Sequence, residues 1–165
     1  MTRRNATKAD TAAEERSLSE LRHLILAAQR EGNRWLADEL RPAGLTPSQA
    51  EVLAVLAEQG ELTLAQLGRL IVCETGSPSR VVDILVKRGL VRREPGTIDR
   101  RVIHLSLTPE ACDLLELVSK AEHSLDAVML QMLDPEEQMT LATLLRRILS
   151  GTGSGEAIQR RYGPR

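Results

Sequence analysis

Between Thr46 and Leu107 helix starts and stops follow one another so closely that few folds can accommodate them. Thr46-Pro47-Ser48-Gln49 places a hydroxyl at a helix N-cap, a proline in the first turn and a glutamine able to reach back to the cap. Val52, Leu53, Leu56 and Ala57 then recur on one helical face. Thr63-Leu64-Ala65-Gln66 repeats the capping arrangement and opens a short helix expected to end at Leu70 or Ile71. A third helix is expected to begin at Thr75 or Ser77, where Gly76 eases the entry and Pro78 occupies the first turn. It buries Val81, Val82, Leu85 and Val86, and Gly89 stops it in a left-handed conformation. Val91 to Glu94 and Val102 to Leu107 are short β-branched stretches about Pro95-Gly96-Thr97, the pattern of a hairpin with a basic tip. Short helices followed by such a hairpin read as a winged helix-turn-helix.

The flanks are longer helices. Leu18 to Leu40 carries Leu18, Leu21, Ile25, Leu36 and Leu40 on an amphipathic stripe. Thr108-Pro109 opens a helix bearing Leu114, Leu115, Leu117, Val118, Leu125, Val128 and Met132, and Asp134-Pro135-Glu136-Glu137 opens another through Leu149. With one Trp, one Tyr and no Phe, the core must come from aliphatic residues that fill helix seams, so the fold is mainly α. The expected architecture is a winged helix-turn-helix with a two-stranded β-wing and long N- and C-terminal dimerisation helices. Residues 1–17 form a flexible arm, 18–45 a dimerisation helix, 46–107 the DNA-binding module, 108–150 further dimerisation helices and 151–165 a flexible tail, Gly-rich and without periodicity. The apolar faces of the flanking helices exceed what the small module can cover, and a second copy related by a two-fold axis is the simplest partner.

The net charge of −1 hides a local asymmetry. From Gly76 to Arg101 there are seven basic residues (Arg80, Lys87, Arg88, Arg92, Arg93, Arg100, Arg101) and three acidic ones, so this segment is +4 and the rest of the chain −5. A basic stripe on an acidic chain is an electrostatic footprint for a polyanion. Other classes find little support. Residues 1–17 contain no apolar run and no segment reaches membrane-spanning length, so the chain is expected to be cytoplasmic with no membrane partner. Cys73 and Cys112 give no disulfide framework, and His23, His104 and His123 have no metal-ligand spacing, so neither metal nor cofactor is expected. No nucleophile-base or carboxylate pair sits at helical spacing, which argues against an enzyme.

On a helix that enters the major groove, Ser77 and Ser79 offer hydroxyls that donate or accept, and Arg80 can engage guanine O6 and N7 together. Thr75 joins them at the helix entry. At the hairpin tip, Arg101 suits a narrow minor groove, Arg100 a phosphate, and Asp99 can orient a neighbouring guanidinium. The competing interpretation is a helical dimeric interaction module whose basic face takes a protein partner.

Taken together, "GLTPSQAEVLAVL", "LGRLIVCETGSPSRVVDILVKRGLVRREPGTIDRR" and "HLSLTPEACDLL" resemble the MarR family of bacterial regulators, over about Leu18 to Leu149. The resemblance implies a homodimeric repressor bound to double-stranded DNA through Ser77, Ser79, Arg80, Asp99, Arg100 and Arg101. It further implies release by a small aromatic or anionic effector in a cleft beside the dimerisation helices, where His23, Arg34 and Trp35 are candidate contacts. Val72 stands where the family often has Gly, Pro78 where a β-branched residue is common, and Ala111 where Gly is common. Cys73 falls on an apolar site of the helix-turn-helix core and is expected to act as a small buried hydrophobe.

Overall fold

The computed structural model describes the backbone of residues 8–72, 77–97 and 99–163, and their side chains from residue 15 onward. The chain forms two compact units, Met1–Trp35 and Leu36–Arg165.

The first helix, α1, spans Lys8–Leu40. It therefore starts ten residues before Leu18, inside the stretch expected to be a flexible arm. Thr11-Ala12-Ala13-Glu14-Glu15-Arg16 lacks the apolar period that marks an amphipathic helix, but Ala, Glu and Arg are strong helix formers. Once the apolar stripe has nucleated the helix, such residues extend it at little cost. Leu18, Leu21, Leu24 and Leu26 on this helix are exposed.

In the second unit the capping chemistry appears as the sequence implies. α2 (Pro47–Gln59) opens with a reciprocal box in which Thr46 accepts from the Gln49 N–H and the Gln49 side chain accepts from the Thr46 N–H. Thr63 and Gln66 do the same for α3 (Leu64–Leu67), one α-helical turn that continues to Ile71 only as irregular turns. α4 (Pro78–Lys87) has Ser77 as its N-cap, and Gly89 takes φ 71° just past its end. The hairpin strands are β2 (Val91–Pro95) and β3 (Ile103–Leu107), with Val91 opposite Leu107 and Pro95 opposite Ile103.

A third strand, β1 (Leu62–Thr63), pairs with the other edge of β3 and gives the sheet order β1-β3-β2, where two strands were expected. Two residues are too few to show the alternation that identifies a strand, and this one is ordered only because β3 leaves an edge to pair with.

Leu53, Val55, Leu67, Val82 and Leu85 are completely inaccessible, and Val91 and Leu105 extend the same core into the sheet. α5 (Pro109–Met132) adds Ala111, Val118 and Ala121. α6 (Pro135–Ile148), capped by a box between Asp134 and Glu137, buries none of its residues, and Met139, Leu141, Leu144 and Ile148 are exposed. Met129, Leu130 and Met132 at the end of α5 are exposed as well.

The segment expected to be a flexible tail contains α7 (Gly153–Tyr162). Thr152 caps it by accepting from the Gly155 N–H, Glu156 pairs with Arg160 one turn on, and Ala157 is buried. Glycines in the first turn concealed it, because they weaken intrinsic propensity by about 1 kcal/mol each relative to Ala. The Thr152 cap and the Glu156/Arg160 spacing were the signals that reveal it.

Candidate nucleic-acid interface

α4 is the most amphipathic short element of the chain. Its inner face of Val81, Val82 and Leu85 is sealed in the core, so Arg80, Asp83, Ile84 and Lys87 are left on the outer face. Ser77 and Ser79 precede them at the helix start. Ser77 makes no cap hydrogen bond with its side chain; its hydroxyl lies 2.8 Å from that of Ser79. The two hydroxyls thus form one small donor-acceptor group at the N-terminus of α4. Thr75, the other candidate at this entry, lies outside the described residues, as does Cys73.

The seven basic residues of the stripe divide by what they touch. Arg88, though exposed, is committed to its own chain: its guanidinium donates to the carbonyls of Gly44 (2.7 Å) and Ala43 (3.3 Å) and to the Gln49 side chain (3.4 Å). It tethers the end of α4 to the loop before α2. Arg93 on β2 bridges to Asp83 on α4 at 2.6 Å and braces the wing against the helix. Arg92 lies 3.8 Å from Glu94 at the surface, an interaction of little strength. Arg80, Lys87, Arg100 and Arg101 are exposed and form no ion pair with any described residue. Sequence alone could not make this division, because all seven residues carry the same charge and only their neighbours differ.

At the wing tip, Asp99 accepts from the backbone N–H of Arg101 at 2.9 Å. This bond helps to close the turn. The turn is tight: Gly96 donates to the Val102 carbonyl, Val102 donates to that of Asp99, and a Cβ on Gly96 would lie 2.8 Å from the Asp99 oxygen and 3.2 Å from His104 Nε2. Glu61 holds that histidine at 3.0 Å. Gly96→Ala is therefore expected to displace the tip at a cost of about 1 to 3 kcal/mol. Affinity for A/T-rich duplex should fall more than affinity for G/C-rich duplex, as read by fluorescence anisotropy.

The candidate effector contacts all lie on α1. His23 Nδ1 is 2.7 Å from the Ser19 carbonyl, Arg34 pairs with Glu31 at 3.1 Å, and Trp35 is 41% exposed. His23 and Arg34 are separated along the helix axis by about 16 Å, so the three do not converge on one point.

Elsewhere in the second unit, Arg161 of α7 reaches Glu51 (3.3 Å) and Glu58 (3.2 Å) of α2. A cleft beside it of about 120 Å3, walled by Leu36, Leu40, Val118 and Ala121, raises the Glu122 carboxyl and the Tyr162 phenol above their ordinary values through burial, against the pull of Arg161. Among the described residues no group of His, Cys, Asp and Glu is arranged to hold a metal ion, and no helix is long and apolar enough to cross a membrane.

A helix with a sealed inner face and an outer Arg80, braced by an ion pair to a hairpin with a basic tip, defines a winged helix-turn-helix DNA-binding module. Comparisons with known proteins agree. The model of the MarR family matches residues 45–103, from just before α2 to the start of β3. The transcriptional repressor MdtR of Bacillus subtilis (strain 168) is 28% identical over 121 residues, covering 73% of this chain and 78% of MdtR. A mutant MarR from E. coli, solved in complex with operator DNA, superposes with a TM-score of 0.72 at 26% identity, covering 81% of this chain and 96% of that one. A probable transcriptional regulator from Pseudomonas aeruginosa is 34% identical with a TM-score of 0.60, covering 75% of this chain and 96% of that one. The chain belongs to the MarR family and is a DNA-binding transcriptional regulator.

Proposed function

We propose that the protein is a homodimeric repressor that reads a pseudo-palindromic operator with α4 and the wing, and that a small aromatic or anionic effector releases it. The observation that carries the DNA reading is the set of four exposed cations, Arg80, Lys87, Arg100 and Arg101, on a helix and a hairpin braced by Arg93 and Asp83. Ser77, Ser79 and Arg80 take the major groove; Arg101 takes the minor groove and Arg100 a phosphate, with Asp99 shaping the turn that presents them. Thr75 belongs to the same proposed set. The repressor role follows that of the similar MdtR, a transcriptional repressor, and operator DNA is what the similar MarR structure contains.

Dimerisation is supported by α6, a helix with no buried residue and four large exposed apolar ones. A helix of this length gains most of its stability from packing, and a second copy supplies it. For the effector, Arg34 and Trp35 are the stronger end of the α1 candidates, because they offer a cation beside an aromatic face; His23 lies too far along the helix to share one small ligand with them.

Selection of duplexes from a random pool by the purified protein, with sedimentation at micromolar concentration, tests the proposal. The expected result is a dimer that enriches two inverted half-sites. Its affinity should fall by about three orders of magnitude between 50 and 200 mM salt, in keeping with several phosphate contacts per protomer. A stable monomer on a single asymmetric site would remove the dimer. Absence of enrichment together with a flat salt response would favour a protein partner for the basic face.

A further inference from the structure

Where α6 runs into α7 the chain leaves a cavity of about 530 Å3, within the roughly 300 to 1,000 Å3 of small-molecule sites. Local chemistry fixes its walls. The Leu149 carbonyl accepts from both the N–H (3.1 Å) and the hydroxyl (2.7 Å) of Thr152, and that hydroxyl accepts from the Gly155 N–H at 3.1 Å. Gly151 turns the chain at φ 77°, and a Cβ on Gly155 would run into the Leu149 carbonyl, so α7 meets the end of α6 as closely as only glycine allows. At its other end α7 is held by Arg161, which reaches Glu58 at 3.2 Å. The cavity is thus formed before any ligand arrives.

Leu149, Ile158 and Tyr162 supply its apolar lining, and the Arg161 guanidinium stands 5.1 Å from the centroid of the Tyr162 ring, which steadies that ring. Two charged side chains also line it. Glu156 is already paired with Arg160 at 2.9 Å, whereas Arg146 is exposed and has no ion pair with any described residue. The unmatched charge at the cavity is therefore positive. Arg146 also stands apart from the surface that α6 offers a second copy. Leu141, Leu144 and Ile148 fall on one stripe, and Arg146 lies roughly 140 to 160° round the helix from each of them. Met139 is on the side of Arg146 but about 10 Å nearer the start of the helix. Dimerisation through the stripe leaves the cavity open.

We propose that this cavity is a binding site for a planar aromatic carboxylate, with Arg146 pairing with the carboxylate and the ring lying among Leu149, Ile158 and Tyr162. A guanidinium engages a carboxylate through two parallel N–H donors, which fixes orientation as well as charge. The backbone at Gly151 and Gly155 carries no side chain to hold a flat ring away. A cation would meet Arg146 unfavourably, and an uncharged ring would leave it unpaired. The site shares no residue with His23, Arg34 and Trp35, and binding here depends neither on those contacts nor on α4 reading DNA.

Isothermal titration calorimetry of the full-length protein with 2-naphthoate and its uncharged counterpart 2-naphthamide tests the site. Wild type should bind 2-naphthoate with a Kd below about 1 mM and at least about tenfold more tightly than the amide. Arg146→Gln should remove that preference, Arg146→Lys should keep part of it, and Arg34→Gln on α1 should leave it unchanged. Ser150 lines the cavity from an exposed position, so Ser150→Trp should fill the space without disturbing the fold. It should abolish binding and leave the sedimentation of the protein as in wild type. No heat at about 5 mM of either compound, equal affinity for the acid and the amide, or an undiminished preference in Arg146→Gln would each overturn the site. Loss of binding in Arg34→Gln but not in Arg146→Gln would overturn it in favour of α1. If Ser150→Trp instead turned a dimer into monomers, a second copy would be the occupant of the cavity and the ligand site would be refuted.

Discussion

Leu85→Ala is expected to destabilise the protein by about 2 to 5 kcal/mol, the cost of opening a cavity where a large aliphatic side chain is fully enclosed. Leu85 is completely inaccessible, belongs to the same core as Leu53, Leu67 and Val82, and lies on the inner face of the helix whose outer face carries Arg80. The cavity would therefore open under the reading helix. Ile84 on the same helix is 46% exposed, and Ile84→Ala should change stability by no more than about 0.5 kcal/mol. Urea unfolding of both variants at one fixed protein concentration makes the comparison, since midpoints of an oligomer depend on concentration. Equal midpoints for the two variants would mean that α4 does not sit as described.

The second large effect concerns binding, where Arg80, Arg101 and Arg100 should fail in different ways when changed to alanine. Loss of a bidentate contact to guanine at Arg80 should cost about 1 to 3 kcal/mol on the enriched duplex and relax preference at one position of each half-site. Scrambled duplex should respond much less. Arg101→Ala should weaken sites with narrow A/T-rich flanks most. Arg100→Ala should lower affinity almost uniformly and reduce the salt slope by about one unit per half-site. Anisotropy titrations against enriched, flank-substituted and scrambled duplexes at several salt concentrations separate the three. Equal losses on all duplexes for Arg80→Ala would reduce it to a phosphate clamp. Arg88→Ala is a useful contrast, because Arg88 spends its donors on Gly44, Ala43 and Gln49 and its loss should appear in stability before binding.

Much of this could be read from local chemistry. The boxes at Thr46 and Thr63, the stop at Gly89 and the cap at Asp134 each involve residues within a few positions of one another, the hairpin about Gly96 joins strands adjacent in the chain, and each is present. Hydroxyl, amide and carboxylate side chains at fixed offsets meet the same backbone groups wherever they occur, so such features need no knowledge of the rest of the chain. The apolar faces of α2 and α4 were equally legible, because helical periodicity assigns inside and outside before any partner is known.

What the tertiary structure decided depends on residues far apart in the chain. β1 exists because β3 presents an edge to it, and α7 exists because α2 presents Glu51 and Glu58 to Arg161, across separations of 110 and 103 residues. The same holds for the basic stripe, where seven equal charges became one tether to backbone carbonyls, one brace, one weakly paired residue and four cations with no ion pair to any described residue. Composition states how much charge a segment carries. Which of those charges remains for a polyanion is set by the partners that folding brings within hydrogen-bonding reach, since a guanidinium already satisfied by carbonyls or a carboxylate has fewer donors left to offer.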